Sequence, residues 1–447
     1  MRPAPPWSGA ASVDFAIVGG GYTGMWTAWH LKRLEPNARV VVFDAGVCGH
    51  GPSGRNGGFV NALWFSLPTL RRRFGDDRAL EVARAAQAAV DGVGEFCAEQ
   101  GVDAWFRRSG YMQVSTAPGW DGAWGEGVAA CHELGVPEAA IELGEDEVTG
   151  RCASPVFRGG AFYPLSATVQ PARLALGLRQ RLLDVGVELA ERSPVYGVSE
   201  EGPDATVWSD GGSVLARAVI LASGGDLLHR GLRRRLTVSS SHMVVTEPVP
   251  ELLEEIGWTG GESVTDSRAM IHYFRTTPDG RIAFGWGGGR PVFEARTGGR
   301  AEIDPGVVAQ IERTLFRFFP GLAGKRVELA WGGPVDVSPS HLPVIGSLRS
   351  SVHYGFGYTG NGVGPSHMVG RSLASIALDR RDAPTRLAIV EPEPVKVPPE
   401  PLRYLGGMAI RRALLKREAA LDEGRRPGLL TEAISGIPER VGVHVGR

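Results

Sequence analysis

The strongest constraint on how this chain folds lies near its start, in VDFAIVGGGYTGMWTAWHLKRLEPNARVVVFDAG, residues 13–46. FAIV is a short apolar run of the kind that forms a parallel strand buried on both faces. Gly19, Gly21 and Gly24 then fit G-x-G-x-x-G, and a helix follows with Met25, Trp26, Ala28, Trp29 and Leu31 near its start. RVVVFD supplies a second strand and delivers Asp44 at its end, 20 residues after Gly24. Each glycine has a mechanical reason to be there. Gly19 permits the tight turn, Gly21 allows close approach to a pyrophosphate, and Gly24 allows close helix–strand packing. The helix N-terminus offers free N–H groups to phosphates. An acid at position 44 is placed to accept hydrogen bonds from ribose hydroxyls. Strand, glycine turn, helix, strand and acid in this order predict a dinucleotide-binding unit. The motif alone does not choose between a flavin and a nicotinamide dinucleotide.

A second glycine loop follows at once. GPSGRNGGFV, residues 51–60, sets Ser53, Arg55 and Asn56 among glycines that include Gly57 and Gly58. Glycine loses more freedom on folding than any other residue, so such a loop is expected where backbone must lie close against something. Glycine is the outlier of the composition, 63 of 447 residues, about twice the usual ~7%. A net charge of −1 gives no global pull toward nucleic acid or an anionic membrane. Cys48, Cys97, Cys131 and Cys152 form no CxxC pair and no zinc-like spacing, so free thiols in a reducing cytoplasm are expected and no metal site. No apolar run long enough to span a membrane is present in the sequence.

The rest of the chain interleaves nucleotide-binding and strand-rich segments. VILASGG, 219–225, is an apolar strand running into Gly224; HYFRTTPDGRIAFG, 272–285, is a hairpin about Pro278-Asp279-Gly280; PGVVAQIERTLFRFFPGL is a helix ended by Pro320-Gly321. GGPVDVSPSHLPVIG, 332–346, and GFGYTGNGVGPS, 355–366, add two more glycine-punctuated stretches, the second entering a helix from about Ser366. From Ala383 the chain turns proline-rich and then into a basic helix, YLGGMAIRRALLKREAALDEGRR, expected to pack on the surface.

Taken together these segments resemble the D-amino-acid oxidase superfamily of FAD-dependent amine and amino-acid oxidoreductases, which includes sarcosine and glycine oxidases. SGRNGG is most similar to the gamma-glutamylputrescine oxidase branch. The resemblance covers residues 13 to about 380 and implies an α/β fold. A Rossmann-type FAD domain is expected from segments 10–105, 165–238 and 328–382. An antiparallel-sheet (α+β) substrate domain is expected from 106–164 and 239–327, with 383–447 as linker and helical extension.

It also implies site residues. FAD is expected at Gly19, Gly21, Gly24, Asp44, Ser53, Arg55, Asn56, Gly57, Gly58, Val195, Gly224, Gly346, Gly360, Asn361, Gly362 and Val363. His272, His242, Asn56, Arg268 and Tyr358 are the catalytic and substrate-binding candidates, with Trp331 and His341 beside them. The implied reaction is hydride transfer from an amine to the flavin, with oxygen or another acceptor taking the electrons. Where sarcosine oxidases carry a carboxylate-binding lysine, this chain has Gly364, which favours an amine over a small α-amino acid. N-methyl- or D-amino-acid oxidation, a flavin tailoring reaction and a non-catalytic flavin subunit stay open, as does the oligomeric state.

Overall fold

The computed structural model describes residues 2–225, 231–295, 298–391 and 395–440. Parts of the proline-rich linker (392–394) and the last residues (441–447) lie outside the described residues.

The apolar strand read at the start of the sequence, Gly9–Val18, sits in the middle of the first sheet. It pairs in parallel with Val40–Phe43 on one side and Gly212–Leu221 on the other. Glu188–Ala190 and Val352–Phe356 extend the parallel array, and Val344–Arg349 closes one edge antiparallel. Because strand side chains alternate, Phe15 and Ile17 pack on one side with the helices, while Ala16 and Val18 pack on the other. Helix Tyr22–Leu34 lies against Val363–Ala377, so both begin at the same end of the sheet.

The second sheet runs Val327–Val337, Thr237–Thr246, Ile282–Trp286, His272–Thr276, Ser263–Asp266, Tyr111–Val114, Gly160–Tyr163 and Ile141–Leu143. All neighbours are antiparallel except Ser263–Asp266 with Tyr111–Val114. One face is sealed by helix Pro305–Phe318, where Phe274, Phe284, Phe318 and Phe319 form an aromatic core. The boundary expected at 327/328 is corrected here. Thr237–Thr246 pairs with Val327–Val337 along its whole length, so residues 328–337 belong to the second sheet.

The basic C-terminal helix, Leu402–Asp422, does more than cover surface. Its Glu418 carboxylate accepts the Met270 N–H at 2.8 Å, and Asp422 accepts Arg268 at 2.7 Å and the Trp120 indole at 3.0 Å. Burial pushes the Glu418 carboxyl up to about 7, with Asp266 and Asp422 adding to the rise. A carboxyl whose folded pKa is raised favours folding most below its ordinary value of 4.5 and loses that contribution as pH climbs through about 7. Glu418→Gln keeps the acceptor and removes the charge. Its thermal stability should match the wild type near pH 4.5 and exceed it by about 1–3 kcal/mol at pH 8. Equal melting curves at both pH values would contradict this account.

Candidate active site

A cleft of about 450 Å³ opens on one face of the second sheet, and its floor is built from Tyr22 and Thr23 at the start of the first helix, from the loop around Ser53–Gly57 and from Tyr358–Val363. Gly19 has φ +110°, and a Cβ there would lie 2.5 Å from the Ala222 carbonyl oxygen; at Gly24 it would lie 2.0 Å from the Gly19 oxygen. Both sites therefore need glycine for close packing at the strand ends. Gly21 is the N-cap of the first helix and supplies no side-chain cap. The Tyr22 N–H donates to Ser53 Oγ at 2.8 Å, tying that helix start to the second loop.

Asp44 sits at the end of Val40–Phe43, with Oδ2 accepting Gly20 N–H at 2.9 Å and Oδ1 accepting Gly46 N–H at 2.7 Å. Burial raises its pKa, and the two N–H donors counter that rise. Each oxygen keeps a further lone pair for a ribose hydroxyl. Gly224, at φ +60°, follows Gly212–Leu221 at the same end of the sheet, and Val195 opens strand Val195–Glu201.

The SGRNGG segment is one short helix, Pro52–Arg55, and an extended exit. Asn56 holds it together: its amide donates to the Ser53 carbonyl at 2.7 Å and accepts the Gly58 N–H at 2.8 Å. The carbonyls face the second sheet. Arg55 O accepts the Trp331 indole at 2.8 Å and Gly57 O accepts Arg275 Nε at 2.6 Å. Arg275 also donates through Nη1 to the Thr276 carbonyl at 3.1 Å. It is enclosed, and desolvation lowers its pKa to about 10.

The third floor segment, 357–363, begins the helix Val363–Ala377, three residues earlier than its sequence pattern indicates. Gly360, Asn361, Gly362, Val363 and Tyr358 all line the cleft. The helix has no side-chain cap, so its first N–H groups are available. Asn361 has neither amide atom partnered, though both are buried. Asp336 accepts the Gly357 N–H at 2.5 Å, and burial pushes its carboxyl up to about 6. Tyr358 O–H and Thr23 share a 2.6 Å hydrogen bond.

The wall comes from the second sheet, and here strand alternation decides which residues reach the cleft. Ser241, Met243, Tyr273 and Trp331 line it. His242 and His272 each pair with Trp286 in the ladder, one residue out of phase with those four. A one-residue step along a strand turns a side chain to the other face. His272 accordingly stacks on Trp286 at 5.9 Å and meets Asp266 Oδ2 at 2.6 Å. His242 is wholly buried beside Gly332, and burial lowers its pKa.

Arg268, 3% exposed, is bound to Asp266 at 2.5 Å and Asp422 at 2.7 Å. The structure thus corrects three catalytic candidates: His242, His272 and Arg268 lie behind the wall. Gly346 lies within strand Val344–Arg349 under the Tyr354 hydroxyl and, like Gly19, Gly21, Gly24, Asp44, Gly58, Val195 and Gly224, does not itself line the cleft. Asn56, Tyr358, Trp331 and His341 do line it.

Tyr273, which sequence reasoning passes over for its neighbour, is the centre of the wall. Its ring lies across Gly285, where a Cβ would be 2.2 Å away, and 3.1 Å from the position of one on Gly57. Its hydroxyl meets Ser241 Oγ at 2.8 Å. Burial raises the phenol to about 12, so it stays neutral at physiological pH. The signal that could have found it is the period of two along HYFRT, with Phe274 as a core residue.

Glycine-lined strand ends, two uncapped helix starts and an unpartnered buried amide fit a flat, multiply hydrogen-bonding dinucleotide such as FAD. The DAO family, FAD dependent oxidoreductase, matches residues 14–376. The chain is 24% identical over 394 residues to the probable oxidoreductase OrdL of Haemophilus influenzae, covering 87% of each. It is 28% identical over 375 residues to gamma-glutamylputrescine oxidoreductase of Escherichia coli, covering 81% of this chain and 83% of that one. The solved structure of glycine oxidase from Geobacillus kaustophilus superposes with a TM-score of 0.67 at 20% identity, covering 83% of this chain and 96% of that chain. No helix among the described residues is long and apolar enough to cross a membrane. With the fold, the cleft and these matches in agreement, this chain belongs to the DAO family of FAD-dependent oxidoreductases.

Proposed function

We propose that the chain oxidises the C–N bond of an amine. The observation that carries this reading is the chemistry of the cleft: the wall residues Ser241, Met243, Tyr273 and Trp331 are uncharged, and of the two proton acceptors in the lining Asp336 is engaged by the Gly357 N–H while His341 sits in the turn that follows Ser338. An alcohol or hydroxy acid needs a base for its O–H proton as the hydride leaves. An unprotonated amine needs none, because its nitrogen lone pair forms the new C=N bond. The resulting imine takes up water and gives a carbonyl compound plus ammonia or a smaller amine. The naming of one relative as a gamma-glutamylputrescine oxidoreductase supports the same substrate class.

FAD, when bound, supplies the two-electron acceptor, with oxygen or another oxidant taking the electrons afterwards. The chain's own residues bind and orient. Gly19, Gly21, Gly24, Asp44, Val195 and Gly224 would hold the nucleotide half at the strand ends. Ser53, Arg55, Asn56, Gly57 and Gly58 would run along the ring system. Gly360, Asn361, Gly362 and Val363 would offer N–H groups where negative charge develops on reduction. Tyr273 and Trp331 form the apolar wall that keeps water from the reacting carbon. Tyr273 O–H shares a 2.8 Å hydrogen bond with Ser241, whose own hydroxyl donates to the Trp286 carbonyl, and the pair sets a neutral hydroxyl on the wall. The alternative of an α-carboxylate clamp loses the support expected from Arg268, whose guanidinium is held by Asp266 and Asp422.

The test is anaerobic mixing of the yellow holoprotein with primary amines, N-methyl amino acids, D-amino acids and 2-hydroxy acids. Bleaching of the flavin band by amines is expected. Bleaching by hydroxy acids alone would overturn the reading.

A further inference from the structure

The family match ends at residue 376, yet the cleft is walled by a helix beyond that point. Leu402–Asp422 presents Gly407, Ile410, Arg411 and Leu414 to the cleft, the spacing of a single helix face. The helix is fixed at both ends. Arg403 donates to the Leu236 carbonyl at 3.2 Å, and Glu418 and Asp422 hold the far end through Met270 N–H and Arg268.

Arg411 is the one cation among these four residues. Its Nε donates to Gly289 O at 2.7 Å and its Nη2 to Gly288 O at 2.6 Å. Those contacts set the plane of the guanidinium, and Nη1 has no hydrogen-bond partner among the described residues. Arg411 makes no ion pair among the described residues. Asp304 is the acid whose charge favours it, while burial and Arg290 oppose its charge. A partly desolvated guanidinium with donors to spare is a site for an anionic group, and its fork matches a carboxylate. The cleft lining also offers an apolar set, Met243, Met270, Ile271 and Leu414, beside the hydroxyls of Ser239, Ser240 and Ser241.

Resting on the amine reading above, we propose that the substrate is an amine carrying a carboxylate at its far end. Its amine lies over the floor loops, its chain along the methionines, and its carboxylate on Arg411 of the C-terminal helix.

The experiment uses holoprotein and two amines of equal chain length, 5-aminopentanoate and n-pentylamine, as reductants in anaerobic titrations. Pentanoate and 1-pentanol serve as non-reacting ligands read by perturbation of the flavin spectrum. Arg411→Met should weaken 5-aminopentanoate and pentanoate by about 10- to 100-fold, the loss of a charge-assisted hydrogen bond. It should leave n-pentylamine and 1-pentanol within about twofold. Gly407→Glu is the second variant. It sets a carboxylate four residues before Arg411, the favoured order for a helical ion pair, and should produce the same selective loss by occupying the guanidinium. Equal weakening of charged and uncharged probes, or no change in either, overturns the proposal. If neither amine bleaches the flavin, the amine reading fails, and the pentanoate–pentanol comparison still tests Arg411.

Discussion

Gly58→Val should yield a folded protein that purifies without flavin. Gly58 has φ +77°, and a Cβ there would lie 2.1 Å from the Val169 carbonyl oxygen and 2.9 Å from the Arg275 guanidinium. A β-branched residue is strained at that φ, at about 1–3 kcal/mol, and the overlap adds about 1–3 kcal/mol more. The loop relieves both by swinging away from Val169, giving up the hydrogen bond from Val169 N–H to the Gly58 carbonyl at 2.9 Å. That movement carries the 53–58 segment off the cleft floor. The affinity for FAD should fall by at least about 100-fold. The ratio of visible to ultraviolet absorbance, with circular dichroism as a check on folding, reads this directly. A variant as yellow as the wild type would show that the loop does not touch the flavin.

The second large effect concerns stability. Asp266→Asn should destabilise the protein by about 3–5 kcal/mol, the cost of removing one partner from a buried charged pair. Asp266 is fully buried and receives Arg268 Nη1 at 2.5 Å, His272 Nδ1 at 2.6 Å and the His272 N–H at 2.9 Å. Burial pushes its carboxyl up, but Arg268 and His272 outweigh that and hold it at about 2. An asparagine offers one acceptor and turns an N–H₂ toward a guanidinium. Arg268 is then left with Asp422, and the C-terminal helix loses part of its anchorage. Denaturant unfolding should show the loss, while flavin content in native buffer stays unchanged because the cluster lies behind the cleft wall. Loss of flavin reduction by amines with stability intact would instead return His272 and Arg268 to the catalytic site.

These two predictions mark how far the sequence carries. The parallel unit around Gly19, Gly21, Gly24 and Asp44 was legible because its parts are contiguous and each glycine answers a local steric need. So was the SGRNGG loop, whose shape is set by contacts within residues 52–58. The hairpin around Pro278-Asp279-Gly280 followed from its turn residues. By itself, then, the sequence determined the dinucleotide unit, the glycine floor and the existence of a second, strand-rich part.

Only the tertiary structure decided which residues of that second part meet the cleft. His272 and Tyr273 are adjacent, and their period of two says that they face opposite ways but not which face is buried. That choice was made by the aromatic core under helix Pro305–Phe318, which claims Phe274 and so turns Tyr273 outward to the cleft. The partners of Arg268 lie 2 and 154 residues away in the chain, so no local pattern shows that its charge is already satisfied. The C-terminal helix reads as a solvated basic segment. It becomes a cleft wall because distant groups, Met270 N–H, Arg268 and Trp120, hold it there. Local sterics are written in neighbouring residues; burial and charge compensation are properties of the assembled fold.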